Sequence, residues 1–201
     1  MVNIMVINGS PRAPKSNSRQ YAGLFAKYCP VDNAYYTVRR DNHALLCHAM
    51  EEFTDILLVF PLYADGIPST LLQFLKTLGS SQAQHKPRVS VLINCGFIEP
   101  EQNDVAVEMI QLFCKQNGYP FGSVLKIGSG EAILTTPFRF LVRTKIKKLA
   151  ASIAAREYGV WQVTMPLSKR MFIRASSRYW ERYGMQNGLS KEQMASMDIE
   201  H

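Results

Sequence analysis

Five short apolar segments, each followed by a helix-like stretch, predict a doubly wound α/β fold built on a five-stranded parallel sheet. Two further observations agree. The first segment, Val2 to Ile7, is β-branched and apolar without a clean period of two, as expected when helices cover both faces of a sheet. Several segments also open directly into loops of small residues, and an open parallel sheet binds its ligands outside the carboxyl ends of its strands. The chain has 201 residues, 47% of them hydrophobic, enough for one sizeable core, and no compositional break demands a second.

The elements follow in order. After Val2 to Ile7, Gly9 ends the strand and a polar loop runs from Ser10 to Ser18. It holds Ser10, Ser16, Ser18, Asn17, Arg12 and Lys15, all hydrogen-bond donors. The first acidic residue of the chain is Asp32, so the start of the next helix, Ser18 to Tyr28, combines a partial positive charge with basic neighbours and suits a phosphate dianion. Ser16 or Ser18 can equally cap that helix, and Pro11 and Pro14 can simply shape the loop. The glycines of a Walker loop or a GxGxxG fingerprint are absent.

Pro30 ends this helix. Ala34 to Val38 reads as the second strand and Asp41 to Glu52 as a helix with Leu45, Leu46 and Met50 on one side. Asp55 to Phe60 (DILLVF) is the strongest buried-strand signal. Pro61 stops it, the loop presents Leu62, Tyr63, Ala64 and Asp65, and Gly66 is expected to turn it before a helix runs to Leu78. Tyr63 is either a stacking face for a planar ligand or an ordinary half-buried tyrosine. Arg88 to Cys95 is the fourth strand, opening into Cys95-Gly96-Phe97, and Cys95 reads more naturally as a small packing residue than as a redox thiol. Glu101 to Gly118 is an amphipathic helix, Phe121 to Ile127 the fifth strand, and Gly128-Ser129-Gly130-Glu131 its rim loop. Thr135 or Thr136 is expected to cap a further helix that Gly159 closes. A short apolar stretch, Val160 to Met165, precedes a final helix from about Ser168 to Tyr183. These features divide the chain into a domain of residues 1–160 and a helical extension of 161–201.

Composition narrows the function. Cys29, Cys47, Cys95 and Cys114 are widely spaced and do not cluster with the four histidines, which argues against a disulfide framework, an iron–sulfur site or a metal site. No apolar run approaches the length of a membrane span and no leader pattern opens the chain, so a cytoplasmic setting is expected. The net charge is +7, but residues 1 to 130 hold 11 basic and 10 acidic side chains against 12 and 6 in residues 131 to 201. Within that basic third, Arg170, Arg174, Arg178 and Arg182 recur every four residues as one stripe. The stripe is a solvated face or a contact for an anionic surface; no recognisable module frames it for nucleic acid.

Taken together, GSPRAPKSNS after the first strand, PLYADGIPSTLLQFL after the third and NCGF after the fourth resemble the flavodoxin-like NAD(P)H-dependent FMN reductases and quinone reductases. The resemblance covers about residues 3 to 131. It implies a flavodoxin-like sheet of order 2-1-3-4-5, non-covalent FMN, NADPH or NADH as co-substrate, a small-molecule electron acceptor such as a quinone, ping-pong kinetics and a homodimer. By the same resemblance Ser10, Arg12, Ser16, Asn17 and Ser18 hold the FMN phosphate. Pro61, Leu62, Tyr63, Ala64, Asp65 and Gly66 border one side of the isoalloxazine ring, and Cys95, Gly96 and Phe97 border another. A flavodoxin-like electron carrier or flavin-holding interaction protein without nicotinamide turnover is the rival reading. Where members commonly carry a lysine and then an aspartate on the third helix, this chain has Leu72 and Lys76, which alters the helix surface associated with dimer contacts.

Overall fold

A computed structural model describes residues 1–13, 15–81 and 85–196. Its strands are β1 (Ile4–Asn8), β2 (Asn33–Thr37), β3 (Asp55–Pro61), β4 (Arg88–Asn94), β5 (Phe121–Ile127) and β6 (Val160–Val163). The helices are α1 (Asn17–Tyr28), α2 (His43–Ala49), α3 (Ser69–Ser80), α4 (Asp104–Asn117), α5 (Arg139–Ala155), α6 (Lys169–Gln186) and α7 (Lys191–Ala195). All strand pairs are parallel, in the order β2-β1-β3-β4-β5-β6. The expected order 2-1-3-4-5 is present, but the sheet has six strands rather than five. The additional strand pairs with β5 from Val124↔Val160 to Ile127↔Val163. Only Val163 of its four residues is buried, because an edge strand has a neighbour on one side alone, so its apolar signal in the sequence is weak.

The chain folds as two compact units, Met1–Met165 and Pro166–His201. In the first, alternate sheet residues face opposite helical layers. Met5, Ile7, Leu58, Phe60 and Val91 join a core with Leu71, Phe74 and Leu75 of α3 and Ile110 of α4. Ile4, Val6, Leu57, Val59 and Leu92 are equally buried on the other face, the side of Tyr21 and Phe25 of α1 and Val142, Ile146 and Leu149 of α5.

Two helix boundaries differ from expectation for local reasons. Thr135 ends a short 3-10 turn, Ile133–Thr135, rather than capping α5, which begins only at Arg139, with the Thr136 hydroxyl accepting from the Phe138 N–H (3.3 Å). At the other end α5 stops well before Gly159. Arg156 takes the left-handed conformation (φ 58°) normally left to glycine, and the Glu157 N–H returns to the Ser152 carbonyl (2.9 Å).

At the amino edge of the sheet Asp55 is 2% exposed. Its Oδ2 accepts from the Thr54 hydroxyl at 2.9 Å, and its Oδ1 has no partner among the described residues. Burial pushes the Asp55 carboxyl above the ordinary aspartate range, opposed by the Thr54 bond and by the charges of Arg156 and Arg88. A folded pKa above the unfolded one means that the native state holds the proton more tightly. Stability therefore rises as pH falls through the folded pKa toward about 4, the unfolded value. Asp55→Asn is expected to lack this acid-side gain in urea titrations at two pH values. Parallel stabilities of the two proteins across that window would remove the assignment.

Candidate functional site

The register of the sheet brings the loops after β1, β3, β4 and β5 to one edge. Asn8 pairs with Val59 just before β3 ends, Pro61 with Asn94, and Asn94 with Ile127. The strand order reverses between β1 and β3, the switch point at which doubly wound sheets leave a crevice. A cavity of about 480 Å³ lies there, and Ser10, Arg12, Ser16, Asn17, Ser18, Pro61, Leu62, Cys95 and Gly96 line it. These are nine of the fourteen residues assigned from the sequence. Tyr63, Ala64, Asp65, Gly66 and Phe97 stand outside the lining, with Tyr63 59% and Phe97 50% exposed.

The β1–α1 end of the cavity is a cradle of donors. Gly9 begins it, packed so closely on α3 that a Cβ there would meet Leu71 Cδ2 at 2.9 Å. Asn8, fully buried, accepts the Ser10 N–H through Oδ1 (2.9 Å) and donates to the Tyr35 hydroxyl (2.9 Å), which fixes the start of the loop. The three serine hydroxyls then share one arrangement. Ser10 Oγ accepts from the Arg12 N–H (3.3 Å), Ser16 Oγ from the Arg19 N–H (3.2 Å) and Ser18 Oγ from Asn94 Nδ2 (3.2 Å). Each oxygen is held by a protein donor and keeps its own proton to give to a ligand. The N–H groups of Asn17 and Ser18 belong to the first turn of α1, where no intrahelical acceptor exists. No acidic residue stands in that turn, and Arg12, Lys15 and Arg19 surround it. This donor set fits a phosphate dianion. The sequence alternatives also merge, since Ser16 is the helix cap and a cavity residue at once.

The opposite wall combines Pro61, Leu62, Cys95 and Gly96 with the side chains of Asn94 and Glu131, and its amides are mostly committed. The Leu62 N–H donates to the Asn94 carbonyl (2.7 Å), while Tyr63 and Gly66 exchange both backbone bonds (3.0 and 3.1 Å). Those bonds close a two-residue turn whose central residues are Ala64 (φ 47°) and Asp65 (φ 56°), so Gly66 does not make the turn expected of it. This geometry favours Asn-Gly or Gly-Gly, and side chains at both positions hold local strain. Across the crevice, Gly130 N–H donates to the Cys95 carbonyl (2.6 Å) and Cys95 N–H to the Ile127 carbonyl (2.9 Å), interlocking the ends of β4 and β5. A flat ligand here would meet Pro61, Leu62 and Gly96 chiefly by packing.

Cys95 is 4% exposed. Its thiol lies against the Phe97 and Glu99 carbonyls (3.8 and 3.7 Å), and Asn103 Nδ2 donates to the sulfur (3.3 Å). Burial raises its pKa, which makes it a poor nucleophile and supports the packing role read from the sequence. Lys15, Arg19, Gln20, Asn94 and Glu131 also line the cavity without having been assigned to it. Of these Asn94 matters most: 4% exposed, it donates to both Ser18 Oγ and the Phe60 carbonyl (3.1 Å), tying the start of α1 to the β3 end. A lone asparagine closing an apolar strand (RVSVLIN) was the available signal. Among the described residues no group of His, Cys, Asp and Glu side chains is placed to hold a metal ion.

Fold and crevice define a flavodoxin-like α/β protein with a donor-lined cavity at its switch point. No protein-family model matches the chain, and no curated protein matches it in sequence. Solved structures share its fold. One is an NADH:FMN oxidoreductase in its apo form, with a TM-score of 0.61 at 14% identity over 78% of this chain and 90% of that one. A short-chain flavodoxin associated with a non-canonical PDU bacterial microcompartment gives 0.59 at 15% identity over 78% and 99%. An NADPH-quinone reductase from P. pentosaceus gives 0.58 at 13% over 75% and 98%. At these identities the likeness establishes the fold.

Proposed function

We propose that this chain is an FMN-dependent NAD(P)H oxidoreductase that passes electrons to a quinone or similar small acceptor. One observation carries the reading: a single cavity joins three proton-bearing hydroxyls at a helix N-terminus to an apolar and glycine wall on the neighbouring strand ends. FMN, when bound, supplies the electron-transfer chemistry. The chain's own residues bind and orient. Ser10, Ser16, Ser18 and the first amides of α1 hold the phosphate, Arg12 and Lys15 balance its charge, and Pro61, Leu62, Cys95 and Gly96 position the ring by packing. Tyr63 and Phe97 offer aromatic surface beside the open face of the site. Nicotinamide and acceptor use that one face in turn, so initial-rate plots give parallel lines; intersecting lines would exclude the shared face.

The same reading includes a homodimer, with Leu72 and Lys76 both lining an open groove shared by α3 and α4. It also includes an anionic contact through Arg170, Arg174, Arg178 and Arg182. Among the described residues no helix is long and apolar enough to cross a membrane.

Purification reads the proposal directly. The expected product is a yellow protein whose flavin absorbance bleaches within seconds of adding NADH or NADPH under exclusion of oxygen. A yellow protein inert to both nucleotides assigns an electron carrier instead, and a chain that takes up no FMN on reconstitution ends the flavin reading.

A further inference from the structure

We infer that α6 is an interfacial anchor that lays its aromatic face into the surface of an anionic phospholipid bilayer. Tyr179, Trp180 and Tyr183 form one mutual cluster, with ring centroids 5.2 to 6.3 Å apart. Together with Ile173 each is more than half exposed. At about 100° per residue these four lie within a sector of roughly 120°, and Arg170, Arg174, Arg178 and Arg182 occupy a second sector of similar width. The outer two arginines, Arg170 and Arg182, therefore border the aromatic sector on either side. A basic amphipathic helix with Trp and Tyr on its apolar face is the arrangement that partitions into the headgroup boundary, with the arginine stems reaching up to phosphate.

Among the described residues, the rest of the unit does not cover this face. Gly188 (φ 79°) turns the chain back, a capping box at Ser190 starts α7, and α7 packs on Gly184, where Met194 leaves no room for a Cβ. Lys191 pairs with Glu181 at 3.0 Å on the same side of α6. The short second helix is thus spent on the glycine side and leaves the aromatic cluster open.

Charge selects the occupant. The helix itself carries five basic residues and one acidic, and residues 1–165 carry 17 basic against 12 acidic. A second copy of the chain would bring positive charge to positive charge, whereas an anionic bilayer is complementary to both. The inference stands apart from the flavin reading, although a lipophilic quinone dissolved in the same bilayer would join the two.

The test uses the full chain carrying Trp161→Phe, so that Trp180 is the sole indole, with vesicles of phosphatidylcholine containing about one third phosphatidylserine. The protein is expected to co-sediment with these vesicles, to show a blue shift of Trp180 emission, and to be released by about 0.5 M salt. Arg170→Gln with Arg182→Gln, the two arginines that border the aromatic sector, weakens binding roughly 30-fold, about fivefold per charge. In the Trp161 parent, Tyr179→Ser, Trp180→Ser and Tyr183→Ser together abolish sedimentation; all three sites are exposed, so far-ultraviolet dichroism stays unchanged. Equal binding to pure phosphatidylcholine, no binding to either vesicle, or retention of binding by the triple variant overturns the inference. A blue shift that grows with protein concentration without lipid would assign the face to a second copy and overturn it equally. FMN titration of the same preparations is independent of every one of these outcomes.

Discussion

Replacing Ser16 and Ser18 together by alanine is expected to weaken FMN binding by roughly 10²- to 10⁴-fold. Each hydroxyl gives a hydrogen bond to a charged phosphate worth about 1.5–3 kcal/mol, and two are lost at once. The loop geometry makes the loss hard to recover. Ser10 Oγ, the remaining cradle hydroxyl, is fixed by the Arg12 N–H (3.3 Å), so it cannot swing into the vacated place. Ser16 also caps α1, which costs about 1 kcal/mol of helix stability in its own right. Ser16→Thr keeps both the cap and the donated proton and serves as the control. Fluorescence quenching of FMN during titration reads the affinity, and a thermal melt reads the cap. Unchanged affinity in the double variant would place the phosphate elsewhere.

Gly130→Ala is expected to destabilise the first unit by about 3 kcal/mol or more, through overpacking and strained buried hydrogen bonds. For a unit of this size that corresponds to a melting temperature lower by roughly 6–12 °C. An added Cβ at Gly130 would meet Asn94 Cβ at 2.8 Å and the Cys95 carbonyl at 3.1 Å, and neither is the far end of a flexible side chain. Relief has to come from the bonds that Gly130 makes, its N–H to Cys95 and its carbonyl from the Tyr21 hydroxyl at 2.7 Å, or from Asn94 itself. Moving Asn94 releases Ser18, so FMN affinity falls along with stability. Gly23→Ala is the matched contrast. It lies inside α1 with nothing within 4 Å of the new methyl, and gains about 0.5–1 kcal/mol from helix propensity. A Gly130→Ala protein that melts with the parent would show that the β5 loop yields freely and that the crevice wall is soft.

The contrast between these sites and the sequence shows which features a linear reading reaches. Strands such as Asp55–Pro61 announce themselves because both faces are buried, and polar loops after them are visible as breaks in composition. The sixth strand was legible only as a short apolar stretch: with one buried residue in four, Val160–Val163 does not declare itself a strand until β5 is there to pair with it. Asn94 carries only a faint signal, a lone asparagine closing an apolar strand, since its importance lies in a bond to a residue 76 positions away. The Ala64–Asp65 turn misleads in another way. Gly66 is the residue that sequence rules favour for a bend, yet the two-residue hairpin between Tyr63 and Gly66 forces the left-handed conformation on the residues before it. Helix ends were legible where a side chain caps, as at Ser16, and not where the backbone alone does, as at Arg156.

The three serines have a consequence for how the protein discriminates among ligands. Because protein N–H groups already occupy an oxygen lone pair on Ser10, Ser16 and Ser18, the cradle turns donors toward whatever enters it. An incoming P–O–H would face chiefly O–H and N–H groups, with Glu131 the one acidic side chain in the lining. If the cavity holds FMN as proposed, it acts as a charge-state filter that prefers the phosphate monoester as the dianion, and FMN affinity is expected to fall as pH drops through the second phosphate ionisation near pH 6. Riboflavin, lacking the phosphate altogether, leaves those donors unmet and is expected to bind more weakly than FMN at every pH in a parallel titration.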